Sequence, residues 1–387
     1  MTPRRYQLRK AAVAAARHHP WIFRDHMSSA SAVLRDGELL RLVDGDNQVI
    51  GHGLYEADGA IAIRMLRRGP APPDAAWLRD RLAAAVARRA ALAERTDAIR
   101  LIHGESDSLP AVVVDRFADT LVIASYAAGA DVLARYAARV LALGPPSPIV
   151  GPARHVLLRP ARLRRAPAEP ARVLRGAPPE IAHITEDGIA YAIDLAAGQK
   201  TGAYLDLRGL RRAIAAAPLA GARVLNLFAY SGMLGRAAER AGARAIAQVD
   251  GSARALGFAA AHHVDDPSRH TFVTADVFAW LPTYRAEPFD LVIVDPPAMT
   301  SRTAQVPSVL AAYRKLYRTA APHVRPGGSL VAACCTSRIA RPVFHETVRE
   351  ALGAGFTLDH EIPPELDHPV GFAQADYLKI GWWRRPT

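Results

Sequence analysis

The run ARVLNLFAYSGMLGRAAERAG at 222–242, followed directly by ARAIAQVD at 243–250, decides the fold of this chain. It reads as a buried apolar strand, a tight loop closing at Gly232, a short helix stopped by Gly242, and a second strand ending in Asp250. Strand, loop, helix and strand in that order make the crossover unit of a parallel sheet. Gly232 precedes Asp250 by 18 residues, near the ~20 that separate a nucleotide-binding loop from the acid holding a ribose. Two further strands follow the same rule: HTFVTAD ends in Asp276, and FDLVIVD ends in Asp295 before Pro296 and Pro297. Acids at successive strand ends fit the rule that open α/β sheets bind ligands at their carboxyl edge. Each could equally cap the next helix.

The loop itself narrows the ligand. Asn226-Leu227-Phe228-Ala229-Tyr230-Ser231-Gly232 is not GxGxxG, so nothing marks a cradle for a pyrophosphate. A ligand with a ribose and no phosphate fits, and S-adenosylmethionine is one. Asp250 is then expected to accept hydrogen bonds from the vicinal ribose hydroxyls and Asp276 to meet the adenine amino group. The backbone of Phe228, Ala229, Tyr230, Ser231 and Gly232 is expected to face the methionine part. At the C-terminus, FTLDHEIP and ADYLKIGWWR read as a strand pair with an inserted antiparallel strand, completing an α/β, Rossmann-like class I methyltransferase sheet.

Outward from this sheet the text changes. Residues 38–43, 49–54 and 61–66 read as short strands split by turn signals, a small N-terminal β-barrel. A helix is expected over 75–95, strands over 111–115 and 120–125, and a helix over 131–143, a compact central α+β piece. The expected domains are 1–74, 75–183 and 184–387. In a chain of 387 residues, Lys and Arg number 49 against 37 Asp and Glu, a net charge of +12 that points to a polyanionic partner. Much of the excess lies in RHVLLRPARLRRAPAEPARVLR at 154–175, where seven arginines meet one acid; it reads either as a linker or as a phosphate contact. The two cysteines, Cys334 and Cys335, are adjacent, which excludes a disulfide-built or zinc-cysteine protein. His18-His19 and His262-His263 lack further ligands at metal spacing and read as structural or surface residues. No signal peptide or membrane span is legible, so a cytoplasmic location is expected.

Several stretches together carry a resemblance. HHPWIFRDHM (18–27), GESDSLPAVVVDRFADTLVI (104–123), DGIAYAIDLAAGQKTGAYLDLRGLRR (187–212), VLNLFAYSGMLG (224–235), FDLVIVDPP (289–297) and DHPVGFAQADYLK (367–379) occur in order over almost the whole chain. The chain resembles the bacterial 23S rRNA 5-methylcytosine methyltransferases that join a PUA domain to a Rossmann-like sheet. Asp206-Leu207-Arg208 stands where that family usually reads Asp-Gln-Arg, and Cys334-Cys335-Thr336 where it reads Ser-Cys-Ser. The resemblance implies an RNA-binding PUA domain, S-adenosylmethionine as cofactor, and methylation at cytosine C5. It implies 23S ribosomal RNA as partner; a second copy of the chain is a further candidate, and from hydropathy and His spacing neither a membrane nor a metal is expected. Gln199 and Lys200 fall in a family segment that covers the cofactor cleft.

Carbon 5 of cytosine is a poor nucleophile, so a thiolate must first add to C6. Aligning Gly327-Gly328 with the family's Gly-Gly puts Cys335 at the nucleophile position; strand alternation sends Cys334 to the opposite face. Asp295 is expected to hydrogen-bond the cytosine N3/N4 edge and favour protonation at N3. Two other readings stand beside this one. A guanine or exocyclic-amine RNA methyltransferase on the same fold needs no cysteine, because nitrogen has its own lone pair. An RNA-binding assembly factor with a vestigial methyltransferase domain needs no intact acids.

Overall fold

The computed structural model describes residues 3–27, 33–143, 153–161, 169–198, 200–285, 287–300 and 302–387. The chain forms two compact units, one of 1–188, 193–205 and 366–372, the other of 189–192, 206–365 and 373–387.

The first unit holds two five-stranded sheets. One has the order Arg4–Gln7, Leu39–Val43, Val49–Tyr55, Ile61–Arg68 and Trp21–Phe23, with Arg4–Gln7 parallel to its neighbour and the other pairs antiparallel. The helix Lys10–His18 buries Ala12 and Ala16 against this sheet's core, beside Ile22, Leu40 and Leu42. The other sheet runs Arg172–Arg175, His155–Arg159, Thr120–Ser125, Val112–Phe117 and Ala98–His103. Helices Ala75–Ala87 and Asp131–Leu143 supply Leu82, Val86, Leu133 and Ala137 to its core.

Here the helix expected over 75–95 stops early. Asp74 caps its start, accepting from the Trp77 N–H at 2.7 Å. Its end is drawn off course by Arg89, which is fully buried, donates to the Ala85 carbonyl at 2.8 Å and grips Asp107 through both carboxylate oxygens. A buried guanidinium must be paired in this way, and meeting that need turns the chain toward the strand Ala98–His103, which patterning did not reveal. Of the arginine-rich 154–175, Arg162, Arg164 and Arg165 lie outside the described residues. The flanks form paired strands, with Arg172 opposite Leu158. Arg159 and Arg175 spend their guanidinium groups on the carbonyls of Leu195 and Ala142 at 2.8 and 2.6 Å.

The second unit is built on a seven-stranded sheet. Its order is His270–Thr274, Ala245–Asp250, Arg223–Leu227, Phe289–Val294, Val324–Cys334, Lys379–Arg384 and Thr357–Ile362. The first five are parallel; Lys379–Arg384 is the inserted antiparallel strand expected from the tail. Central strands such as Phe289–Val294 are buried along nearly their whole length, which is why they read as unbroken apolar runs. The helix Met233–Arg240 packs tightly on the strand Ala245–Asp250. A Cβ at Gly235 would lie 2.4 Å from Oε1 of the buried Gln248, and one at Gly232 2.7 Å from the Ala259 methyl, so both positions need glycine. Gly232 also has φ +76.

Candidate active site

Strand polarity brings the strand-end residues of the second unit to one edge. Arg223–Leu227 lies between Ala245–Asp250 and Phe289–Val294, with Leu227 in register with both Val249 and Val294. The loop 228–232 and Asp295 therefore emerge from adjacent strands where the order of the sheet reverses, the usual place for a ligand.

The loop is held in an unusual shape. Phe228 and Tyr230 both have positive φ, 61 and 47, as does Gly232. Side-chain-bearing residues enter that region at a cost of ~1–3 kcal/mol each, and such strain collects at ligand sites. Among the contacts that hold it, Ala229 N–H donates to the Val249 carbonyl at 3.0 Å, Gly232 N–H to the Ala229 carbonyl at 2.9 Å, and Tyr230 N–H to Oδ2 of Asp250 at 2.8 Å. Oδ1 of Asp250 accepts the Ser252 N–H at 2.8 Å. Each oxygen of an ionised carboxylate has about two lone-pair sites, so one on each remains for a ribose hydroxyl. Asp250 thus fits a diol while ordering the loop beside it.

Asp276 does the structural work open to any strand-end acid. Its Oδ1 caps the short helix Val277–Trp280, accepting from Phe278 N–H at 2.8 Å and Ala279 N–H at 3.4 Å. The cap presents Phe278, whose side chain is 40% exposed and lies edge-on to Phe228 at 5.7 Å between centroids. These two rings form an apolar wall suited to a flat heterocycle, which sequence reading overlooked because an isolated Phe carries no signal.

Cys335 follows the strand Val324–Cys334. It is half-buried, and its Sγ lies 3.7 Å from the Pro296 carbonyl, the residue after Asp295. Cys334 is fully buried in the core beneath, where its sulfur accepts the Thr336 N–H at 3.5 Å. Behind them, the Tyr317 hydroxyl donates to the Ala333 carbonyl at 2.8 Å. Burial pushes the Tyr313 and Tyr317 hydroxyls well above the ordinary tyrosine range, so both stay neutral.

Two other placements were not foreseen. Tyr377 donates to the carboxylate of Asp206 at 2.6 Å although 171 residues separate them. His263, read from sequence as structural or surface, is buried and clamps the cofactor loop. Its Nε2 accepts the Ala192 N–H at 3.0 Å, so Nδ1 carries the proton and donates to the Ser231 carbonyl at 2.5 Å. Lys200 belongs to the first unit, where its Nζ lies 4.3 Å from the centre of the Tyr204 ring. Gln199 lies outside the described residues.

Burial pushes the His263 pKa down to about 4, against an ordinary 6.5. Between those values the unfolded chain binds the proton and the folded one does not. The clamp's contribution is therefore complete above pH ~6.5 and lost as pH falls toward 4, at most about 3 kcal/mol. Burial also lowers His52, His270, His323 and His345, so the expected result is a difference. Urea unfolding at pH 7 and pH 4.5 should show a smaller loss of stability in His263→Gln than in wild type; equal losses would remove His263 as the source.

The chain is similar to known proteins over nearly its whole length. A family model of S-adenosylmethionine-dependent methyltransferases covers residues 121–378, and one of PUA-like domains covers 8–68. A ribosomal RNA large subunit methyltransferase of Deinococcus radiodurans is 33% identical over 97% of this chain and 96% of its own length. The chain belongs to the S-adenosylmethionine-dependent ribosomal RNA large subunit methyltransferase family. A relative from Klebsiella pneumoniae, ribosomal RNA large subunit methyltransferase I, is also 33% identical, over 94% of this chain and 93% of its own. The fold is shared with a chain provisionally described as a SAM-dependent methyltransferase from Streptococcus mutans, at TM-score 0.82 and 21% identity over 98% of this chain and 100% of that one. S-adenosylmethionine is thus the cofactor of this methyltransferase, and Asp250 and the loop 228–232 fit it. Among the described residues, no helix is long and apolar enough to cross a membrane, and no cluster of three His, Cys, Asp or Glu side chains suits a metal ion.

Proposed function

We propose that this methyltransferase forms 5-methylcytosine in 23S ribosomal RNA, with Cys335 as nucleophile and Asp295 as the group that binds the base. One observation carries the reading: of two adjacent cysteines, Cys335 stands at the ligand edge with Sγ 3.7 Å from the turn that follows Asp295, while Cys334 is sealed in the core. A methyltransferase acting on nitrogen has no use for a thiol there. The ribosomal substrate is supported by the names of the relatives and by the PUA-like match at 8–68.

In this reading the Cys335 thiolate adds to C6, forming a C–S bond and shifting the C5=C6 electron pair to C5. Asp295 hydrogen-bonds the N3/N4 edge as N3 takes up a proton, which drains charge from the ring. Bound S-adenosylmethionine supplies an electrophilic methyl group within reach of C5. When the C5 proton leaves to solvent, the C5–H electron pair forms the C5=C6 bond, the C6–S pair departs with sulfur so that Cys335 is released as thiolate, and N3 gives back the proton it took up. Asp250 and the loop 228–232 orient the cofactor through its ribose, with Asp276 and the Phe228–Phe278 wall taking the adenine.

Mapping 5-methylcytosine in 23S rRNA from cells with and without the gene tests the reading. One cytosine is expected to lose its methyl group and regain it on re-expression. A methylated guanine or exocyclic amine that disappears instead would select the nitrogen reading. An unchanged methylation map from a chain that binds no labelled S-adenosylmethionine would select the vestigial one.

A further inference from the structure

Lys379 is fully buried, a costly place for an ammonium group when a methionine would fill similar space. Its partners explain how the charge is tolerated. Nζ donates to the carbonyls of Thr336 at 2.8 Å, Tyr377 at 2.9 Å and Asp376 at 3.4 Å. Three donors meet three acceptors, and the ammonium is held charged without a carboxylate to neutralise it. The site of this charge is specific. Lys379 pairs with Cys334 across the antiparallel strands, and Thr336, whose carbonyl it grips, directly follows Cys335.

We propose that Lys379 is a positioning residue for the reaction: its ammonium holds the strand end carrying Cys335 and favours the thiolate of that cysteine. The proposal rests on the reading of Cys335 as nucleophile. Among the described residues, Lys379 is a cation buried directly beneath this strand end. Asp295 follows the neighbouring strand Phe289–Val294. Tyr313 and Tyr317, on the helix Val306–Ala320, are kept neutral by burial, and Cys334 lies on the same strand. Arg341 is neutralised by Asp376 and by Glu361, the latter at 3.1 Å. Seen from the lysine, burial lowers its proton affinity and Arg341 adds to that, while Cys334, Asp376 and, least of the three, Cys335 act in the opposite sense. Such an interaction is mutual: a thiolate that favours the ammonium is favoured by it.

The test is the pH dependence of iodoacetamide alkylation of Cys335 in the full chain, in a Cys334→Ala background so that one thiol reports. Lys379→Met is expected to raise the alkylation midpoint by about one pH unit, a tenfold loss of thiolate near pH 7, and to lower kcat with little change in KM. Lys379→Arg, which keeps the charge, should stay close to the parent midpoint. A purely structural tether would lower the melting temperature and leave the midpoint where it was, and that result would overturn the proposal. If Lys379→Met does not fold, the parent chain decides: a midpoint below the ordinary thiol value of ~8.5 supports the idea, and one at or above it sinks it. Alkylation needs neither RNA nor cofactor, so a failure of the cytosine reading would appear in methylation assays and leave this result intact.

Discussion

RNA carrying 5-fluorocytidine at the target position should become covalently joined to the wild-type chain and to Cys334→Ala, and not to Cys335→Ala. Fluorine at C5 cannot leave as a proton does, so the adduct formed after methyl transfer cannot collapse and the C6–S bond persists. Cys335→Ala should also lose methylation altogether while binding S-adenosylmethionine normally, because the cofactor contacts arise from the strands ending at Leu227 and Asp250. Cys334→Ala empties a small volume in the core and is expected to cost stability while sparing both activities. Gel shift under denaturing conditions reads trapping, and tritium transfer reads methylation. A Cys335→Ala chain that still makes 5-methylcytosine at near-normal rate would sink the nucleophile assignment.

The second large effect is expected at Asp250. Asp250→Ala removes a charged acceptor for the ribose and also frees the Tyr230 and Ser252 N–H groups that the carboxylate now holds. Hydrogen bonds to a charged group are worth ~1.5–3 kcal/mol, so S-adenosylmethionine affinity should fall about tenfold to a hundredfold. Loss of loop order places the result toward the upper end of that range. Calorimetric titration measures it, with circular dichroism to show that the variant is folded. Unchanged affinity in a folded Asp250→Ala chain would reject the ribose role. Asp276→Ala makes a useful comparison, because its helix cap predicts a loss of stability of ~0.5–2 kcal/mol whatever its part in binding adenine.

The methyltransferase sheet was legible because its signals are local. A strand buried on both faces reads as a continuous apolar run, and its carboxyl end is marked by the acid that follows, as at Asp250, Asp276 and Asp295. The antiparallel insertion could be read because the tail offers a final strand pair, typical of sheets in which a last antiparallel strand is inserted. The strands Arg4–Gln7 and Ala98–His103 were not legible. The first is short and carries charged side chains. The second comes just after a helix whose end is set by the partners of the Arg89 side chain, Asp107 among them, and not by a glycine or proline stop signal. The stretch 366–372 lies near the C-terminus yet belongs to the first unit, where Phe372 meets Trp21 at 5.0 Å between centroids and Asp367 accepts the Arg100 N–H at 3.0 Å. Spacing along a chain carries no trace of such a return.

By itself, the sequence determined which residue types stand at the strand ends, and with them the parallel sheet, an acid placed to meet a ribose and the presence of a thiol. These follow from periodicity and from the chemistry of single side chains, which neighbours in the chain control. Strand alternation and the resemblance already separated the two cysteines in the sequence; the tertiary structure added that Cys334 is sealed in the core while Cys335 is half-buried. It alone decided between the structural and surface readings of His263, burying it as a neutral clamp on Ser231, because burial sets the charge of an imidazole. It alone set Lys379 beneath Thr336 and joined Asp206 to Tyr377, contacts between residues far apart in the chain that exist only once the sheet has closed around them.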